Sequence, residues 1–180
     1  MTGELLIVAA LLLAGWTFAK KRGPKIKAGD TVFLFGDSLA QGLRGPLSKL
    51  AEASGVGFGA DVQQGTRFDQ WLTRGPSGAG GATFALISLG TNDAMANPAH
   101  QAKVPEWARS ISAALKAQGT TPIWILPPPM KFDTSVAHDA VDATGDAFYV
   151  SADYPRYDSI HPTPAAFGQW AADIWSTLSR

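Results

Sequence analysis

Residues 31–39 read Thr-Val-Phe-Leu-Phe-Gly-Asp-Ser-Leu, an apolar run that ends in a glycine and two polar side chains. Short β-prone runs of this kind are typical of a strand that is buried on both faces in a parallel sheet. From Leu39 to Ala53 the apolar residues then recur at near-helical spacing. The sequence therefore predicts a buried strand that passes directly into a helix, with Ser38 at the turn between them.

The same alternation of strand and helix continues along the chain. Further strands are predicted at residues 56–62, 84–89, 123–126 and 147–150. One helix is predicted over residues 105–118, where Pro105 suits the first helical position, and another begins at Thr163-Pro164 with a capping side chain. Alternating strands and helices indicate an α/β fold with a mainly parallel sheet.

Chemically versatile residues follow the predicted strands or precede the last helix. Ser38 follows the first strand, Gly65 the second and Asn92 the third, while Asp158 and His161 stand just before the final helix. Ligands of parallel α/β sheets bind beyond the carboxyl ends of the strands. We therefore expect these residues to gather at one site.

This set of residues fits acyl transfer. A serine hydroxyl needs a base to take its proton, and His161 can serve Ser38 in that role, with Asp158 fixing the histidine tautomer. The developing oxyanion needs donors, which the backbone N–H groups of Ser38 and Gly65 and the side-chain amide of Asn92 can supply. The predicted catalytic residues are thus Ser38, Asp158 and His161, and the predicted oxyanion hole is formed by Ser38, Gly65 and Asn92.

At these positions the chain resembles the SGNH family of serine hydrolases, also called GDSL esterases/lipases. The matching segments are Gly36-Asp-Ser-Leu39, Gly65, Gly90-Thr-Asn-Asp93 and Asp158-Ser-Ile-His161, in the family's order. The resemblance implies a three-layer α/β/α sandwich with a mainly parallel, flavodoxin-like sheet, and it implies the nucleophile, oxyanion and triad roles given above. The chain departs from the family's pattern at Gln63-Gln64, because relatives often carry an asparagine near this position.

Composition excludes several other classes of protein. The chain has 180 residues and no cysteine, so disulfide scaffolds, thiolate zinc sites and cysteine nucleophiles are ruled out. Its formal net charge is zero, which gives no argument for a nucleic-acid partner. His100 and His138 are interpreted as solvated loop side chains, and the histidine spacing indicates no metal site. Serine ester hydrolysis needs no metal or cofactor.

The N-terminus differs from the rest of the chain. Residues 5–19 carry no charge, and a basic linker at residues 20–29 follows them, so the predicted hydrolase domain spans 30–180. This apolar segment, within residues 1–19, predicts a short membrane anchor. The basic flank favours a domain on the cytoplasmic side. There are two alternatives. The segment could be a signal peptide, with secretion of the domain after cleavage, or it could be a helix that packs in the core or against a partner.

The function expected from the sequence is serine ester hydrolysis through an acyl-enzyme on Ser38. Short acyl esters, such as acetyl groups on glycans or cell-wall polymers, are the favoured substrates. The alternatives are a lysophospholipase or thioesterase that acts on lipid acyl chains, and a catalytically silent binding domain. Loops 40–47, 94–104 and 127–139 are expected to shape a modest apolar pocket, and its candidate lining residues are Leu39, Met95, Met130 and Phe132.

Overall fold

Strands and helices alternate through residues 24–179, the part of the chain that the computed structural model describes. The strands are β1 (Thr31–Gly36), β2 (Gly57–Val62), β3 (Phe84–Ser88), β4 (Thr121–Ile125) and β5 (Ala147–Tyr149). The α-helices are α1 (Ser38–Ala53), α2 (Phe68–Arg74), α3 (Thr91–Ala94), α4 (Pro98–Gln101), α5 (Val104–Ala117), α6 (Ser135–Thr144) and α7 (Pro164–Leu178). A short 3₁₀ turn spans Ser77–Ala79.

The five strands form one sheet in the order β2-β1-β3-β4-β5, and every neighbouring pair is parallel. This is the strand order of flavodoxin-like sheets. The chain leaves β1 toward β2 on one side and returns to β3 on the other. The carboxyl ends of β1 and β3 therefore form the switch point at which such sheets bind their ligands.

Both faces of the sheet are covered, because successive residues of each strand point to opposite sides. Leu34 and Leu86 lie in an apolar cluster with α1 and α7. Phe35 and Ile87, the next residues along, lie in a second cluster with α2, α5 and α6. The resulting three-layer α/β/α sandwich confirms the predicted fold class.

The turn from β1 into α1 depends on a glycine. Gly36 has φ of +150°, and a Cβ at this position would lie 2.0 Å from the Ser88 carbonyl oxygen. The Asp37 N–H donates to that same oxygen at 3.1 Å. Only a residue without a side chain permits β1 and β3 to approach so closely where α1 begins, and Ser38 is the first residue of that helix.

The predicted strands and the three predicted helices are present, with ends shifted by up to two residues. Short helices α2, α3, α4 and α6 were not predicted, and residues 40–47 belong to α1 rather than to a loop. Ile26 lies within the predicted linker, yet it is buried in the core and its N–H donates to the Leu178 carbonyl at 2.7 Å. Part of the predicted linker, residues 20–29, therefore packs against the core of the domain.

Candidate active site

Ser38, His161 and Asp158 form a continuous hydrogen-bonded chain. Ser38 Oγ lies 2.9 Å from His161 Nε2, and His161 Nδ1 lies 2.8 Å from Asp158 Oδ2. An ionised carboxylate only accepts, so Nδ1 must carry the ring proton and Nε2 is left to accept from the serine hydroxyl. The histidine is thus held in the tautomer that a general base needs.

The loop before α7 fixes this arrangement through Asp158. Its Oδ1 accepts from the N–H groups of Ile160 at 2.7 Å and His161 at 2.6 Å. The His161 N–H, the His161 ring and the Ile160 N–H together lower the pKa of Asp158 to about 2. The Tyr157 ring stacks on the His161 ring with centroids 5.7 Å apart, and Tyr157 is 66% exposed. Tyr157 was not among the predicted site residues, although it directly precedes Asp158.

Asp37, beside the serine, is fully buried and caps α1. Its Oδ1 accepts from the Leu39 N–H at 2.9 Å, as expected of a residue that bonds loop backbone. Burial is the main cause that raises the pKa of Asp37 to about 7, and the nearby charge of Asp93 adds to it. Asp37 Oδ2 accepts at 3.3 Å from the side-chain amide of Asn92, which links the cap of α1 to the turn after β3.

The three predicted oxyanion donors lie at the carboxyl edge of β1, β2 and β3, but they are not equally free. Within residues 24–179, the N–H groups of Ser38 and Gly65 have no protein acceptor. Gly65 has φ of +74°, and a Cβ built there would meet open space. Asn92 Nδ2 donates to the Thr66 carbonyl at 3.0 Å as well as to Asp37. For Asn92 to serve an oxyanion, one of these two bonds must be exchanged for it.

A cleft of about 460 Å³ adjoins the loop that carries Gly65. Its floor is Trp71, which packs on Phe35 at 5.0 Å and donates from Nε1 to Thr66 Oγ1 at 2.9 Å. The lining residues are Gln63, Thr66, Asp69, Gln70, Trp71, Thr73 and Arg74. This cleft was not predicted, because α2 was not predicted and its residues carry no recognisable motif.

His100 does not conform to the prediction of a solvated loop side chain. It lies in α4, its side chain is 12% exposed, and its Nε2 is 2.7 Å from Asp93 Oδ1. The same oxygen accepts from the Phe68 N–H at 3.3 Å, so the pair joins α4 and α3 to the start of α2. His138, the other histidine predicted in a loop, lies half-buried in α6.

One group among residues 24–179 has the composition of a metal site, namely Asp69, Asp93 and His100, whose ligand atoms lie within 4.8 Å of one another. The Arg67 guanidinium is 3.7 Å from Asp69 Oδ1, and the His100 ring is already bonded to Asp93. A cation would compete with both contacts. We therefore interpret this group as a hydrogen-bonded cluster that joins α3 and α4 to the start of α2.

The expected apolar pocket is not assembled from the predicted residues. Leu39 is 1% exposed within the core, and Met130 packs against that core. Met95, by contrast, is 53% exposed at the end of α3, and Phe132 is partly exposed. Leu39 cannot line a pocket because it faces inward at the start of α1.

The predicted membrane anchor, residues 5–19, lies outside the described residues. Among residues 24–179, no helix combines the length and the apolar character that crossing a bilayer requires.

Comparison with solved structures shows what this architecture resembles. A protein described as an α/β hydrolase from the metagenome of Lake Arreo, Spain, superposes with a TM-score of 0.67 at 11% identity, over 85% of this chain and 96% of that one. The acetylxylan esterase Axe2 of Geobacillus stearothermophilus superposes with a TM-score of 0.68 at 15% identity, over 87% and 97% of the two chains. A G-D-S-L family protein of Desulfitobacterium hafniense gives 0.63 at 12% identity, over 82% and 99%.

The chain has the SGNH-hydrolase fold. Comparisons with protein-family models and with curated proteins find no match. Within this SGNH-hydrolase fold, the five predicted site residues all lie at the carboxyl edge of the sheet or on the loop that faces it, and the structure brings Ser38, Asp158 and His161 into direct contact.

Proposed function

We propose that the chain is a serine esterase that hydrolyses short acyl esters, acetyl esters of glycans or cell-wall polymers in particular. The observation that carries this proposal is the hydrogen-bonded chain from Ser38 through His161 to Asp158. Its atoms, distances and tautomer are those that nucleophilic catalysis by serine requires.

The proposed reaction has two steps at one serine. Ser38 Oγ attacks the ester carbonyl while its proton passes to His161 Nε2, and the carbonyl oxygen becomes an oxyanion facing the free N–H groups of Ser38 and Gly65. The C–O bond to the alcohol then breaks, and His161 returns the proton to the departing oxygen. In the second step His161 takes a proton from water, which attacks the acyl carbon. The bond from that carbon to Ser38 Oγ then breaks, His161 returns the proton to Ser38 Oγ, and the acid is released.

Two observations favour a short acyl group over a long lipid chain. Leu39, an expected pocket residue, is packed in the core. The cleft lies beside residues 63–66, the oxyanion loop that carries Gly65, and most of its lining side chains are polar. One protein that shares this fold, Axe2, is described both as an acetylxylan esterase and as an acetyl-xylooligosaccharide esterase. Both descriptions fit the substrate that we propose for this chain.

Hydrolysis of p-nitrophenyl esters from acetyl to palmitoyl tests this function. We expect kcat/KM to be highest for acetate or butyrate and to fall steeply with chain length, and Ser38→Ala to abolish turnover. A maximum at decanoate or longer would instead support the lysophospholipase or thioesterase alternative. Absence of turnover on every ester would support a binding domain without catalysis.

We also propose that residues 5–19 anchor the domain in a membrane. The basic flank favours the cytoplasmic side, from which the domain would reach a cell-wall polymer only after lysis or export. The support is the sequence alone: an uncharged run followed by Lys20, Lys21 and Arg22. We expect the full chain to sediment with membranes and a chain beginning at Pro24, which keeps the buried Ile26, to remain in the supernatant. A C-terminal reporter that is active only outside the cytoplasm would overturn the topology if it gave signal. Recovery of a mature protein beginning near Lys20 would overturn the anchor and support secretion.

A further inference from the structure

The cleft along α2 meets the catalytic residues at the oxyanion loop. Thr66, which lines the cleft, directly follows Gly65, and its carbonyl holds the Asn92 amide at 3.0 Å. At the other end of the same loop, the Gln63 N–H donates to the Gly36 carbonyl at 3.0 Å, two residues before Ser38. The cleft and the serine therefore open on the same edge of the sheet.

Two glutamines of the cleft are held with their amide NH₂ groups free. Gln63 Oε1 accepts from Arg74 Nη1 at 2.6 Å, and Gln70 Oε1 accepts from the Arg67 N–H at 2.9 Å. These bonds identify which end of each amide is oxygen. Among the described residues, neither NH₂ group has an acceptor, and both side chains are exposed. Each glutamine thus offers two N–H donors to a ligand.

Arg74 adds donors without adding a net charge to the cleft. Its Nε and Nη2 donate to the two carboxylate oxygens of Asp61 at 3.0 and 2.7 Å, so its charge is paired in a bidentate contact. Its guanidinium carbon lies 5.2 Å above the ring centre of Trp71, which holds it over the floor of the cleft. Among the partners that residues 24–179 offer, three of the five guanidinium N–H groups find an acceptor and two do not.

The hydrogen-bonding groups of the cleft indicate what kind of ligand it can bind. The cleft presents several uncharged or charge-paired N–H donors in fixed positions, together with the Thr73 hydroxyl and the Asp69 carboxylate as acceptors. A hydroxyl-rich ring with ether oxygens matches such a surface, since each of its oxygens can accept and each hydroxyl can donate. An acyl chain would leave without partners every donor and acceptor that it buries, and this loss disfavours an acyl chain in the cleft.

We infer that the α2 cleft is the subsite for the sugar portion of the ester, with Gln63, Gln70 and Arg74 as its recognition residues. This inference rests on the proposed esterase function for its biological meaning, but binding of a glycan to the cleft is a separate observable. The acyl group would then face Ser38 and the oxyanion donors, while the departing sugar occupies the cleft.

Variants that keep the shape of each glutamine but replace its NH₂ group by a carboxylate oxygen test the subsite. Gln63→Glu and Gln70→Glu keep the oxygen that accepts from Arg74 or from the Arg67 N–H, and they replace each free NH₂ donor by an acceptor. The loss of one such hydrogen bond corresponds to about a five- to tenfold weaker affinity. We expect each variant to raise KM for an O-acetylated xylo-oligosaccharide by about that factor relative to KM for p-nitrophenyl acetate. Gln118→Glu, a remote exposed glutamine after α5, is the matched control and should change neither value.

Binding to a protein that cannot turn over separates this inference from the proposed function. In the Ser38→Ala background, titration with the same oligosaccharide by calorimetry should show binding that Gln63→Glu and Gln70→Glu weaken. If the glycan binds there but the wild-type chain hydrolyses no ester, the subsite stands and the esterase proposal fails. If p-nitrophenyl acetate is hydrolysed while neither cleft variant alters glycan binding or the KM ratio, the subsite is refuted. Absence of glycan binding at millimolar concentration refutes it as well.

Discussion

Replacing Asn92 by alanine separates the proposed catalytic role of its amide from its structural one. The side chain donates to the Thr66 carbonyl at 3.0 Å and to the buried Asp37 carboxyl at 3.3 Å. Asn92→Ala leaves both acceptors without this donor, and stranding a buried acceptor costs about 1–3 kcal/mol of stability. If the amide also serves the oxyanion, kcat falls by roughly 10²–10³-fold, which is about 2.7–4 kcal/mol of transition-state stabilisation.

The two effects are measured on the same preparation. Urea denaturation gives the change in the free energy of unfolding, and steady-state hydrolysis of p-nitrophenyl acetate gives kcat and KM at a temperature where the variant is fully folded. Asn97→Ala is the matched control, because Asn97 is exposed and only caps α4 through the His100 N–H at 2.9 Å. It should cost about 1 kcal/mol of stability and leave kcat within twofold. An Asn92→Ala protein that is less stable yet keeps kcat within threefold of wild type would refute the oxyanion role.

Three further predictions concern the same edge of the sheet. Ser38→Ala and His161→Ala should each lower kcat by several orders of magnitude and the double variant no further, because the pair acts as a unit; multiplicative losses would contradict this. Burial raises the pKa of Asp37 from 3.8 to about 7, so the folded chain keeps a proton that the unfolded chain loses. The free energy of unfolding should therefore fall by up to about 4 kcal/mol between pH 4 and 7, and Asp37→Asn should flatten that fall in urea titrations. Gly65→Ala meets no steric clash but needs φ of +74°, so it should cost about 1 kcal/mol in thermal denaturation; an unchanged Tm would show that the loop adapts.

The parts of the fold that were predictable are those whose signals are local in sequence. β1 is an apolar run that ends at Gly36, and the capped start of α7 at Thr163-Pro164 is equally explicit. The strand-end motifs could be combined because parallel strands bring their carboxyl ends to one edge. The contacts among Ser38, Asp158 and His161 follow from that topology.

The remaining features depend on tertiary contacts that no short pattern encodes. Helix α2 has only seven residues, and its amphipathic signal is weak over so short a length. His100 is buried because it bonds to Asp93 and its ring packs edge-on against Trp107 at 4.8 Å, a consequence of how α4 folds back onto α5. The free NH₂ group of Gln63 in the cleft likewise depends on a partner, Arg74, eleven residues along the chain.

The claim that Ser38 is a nucleophile activated by His161 is tested most directly by covalent labelling with a fluorophosphonate. Intact mass spectrometry followed by peptide mapping should find one adduct per chain, located on Ser38. Ser38→Ala should remain unlabelled, and His161→Ala should be labelled more slowly by orders of magnitude. Failure of the folded wild-type chain to form the adduct, or an adduct on another residue such as Ser159, would contradict the account.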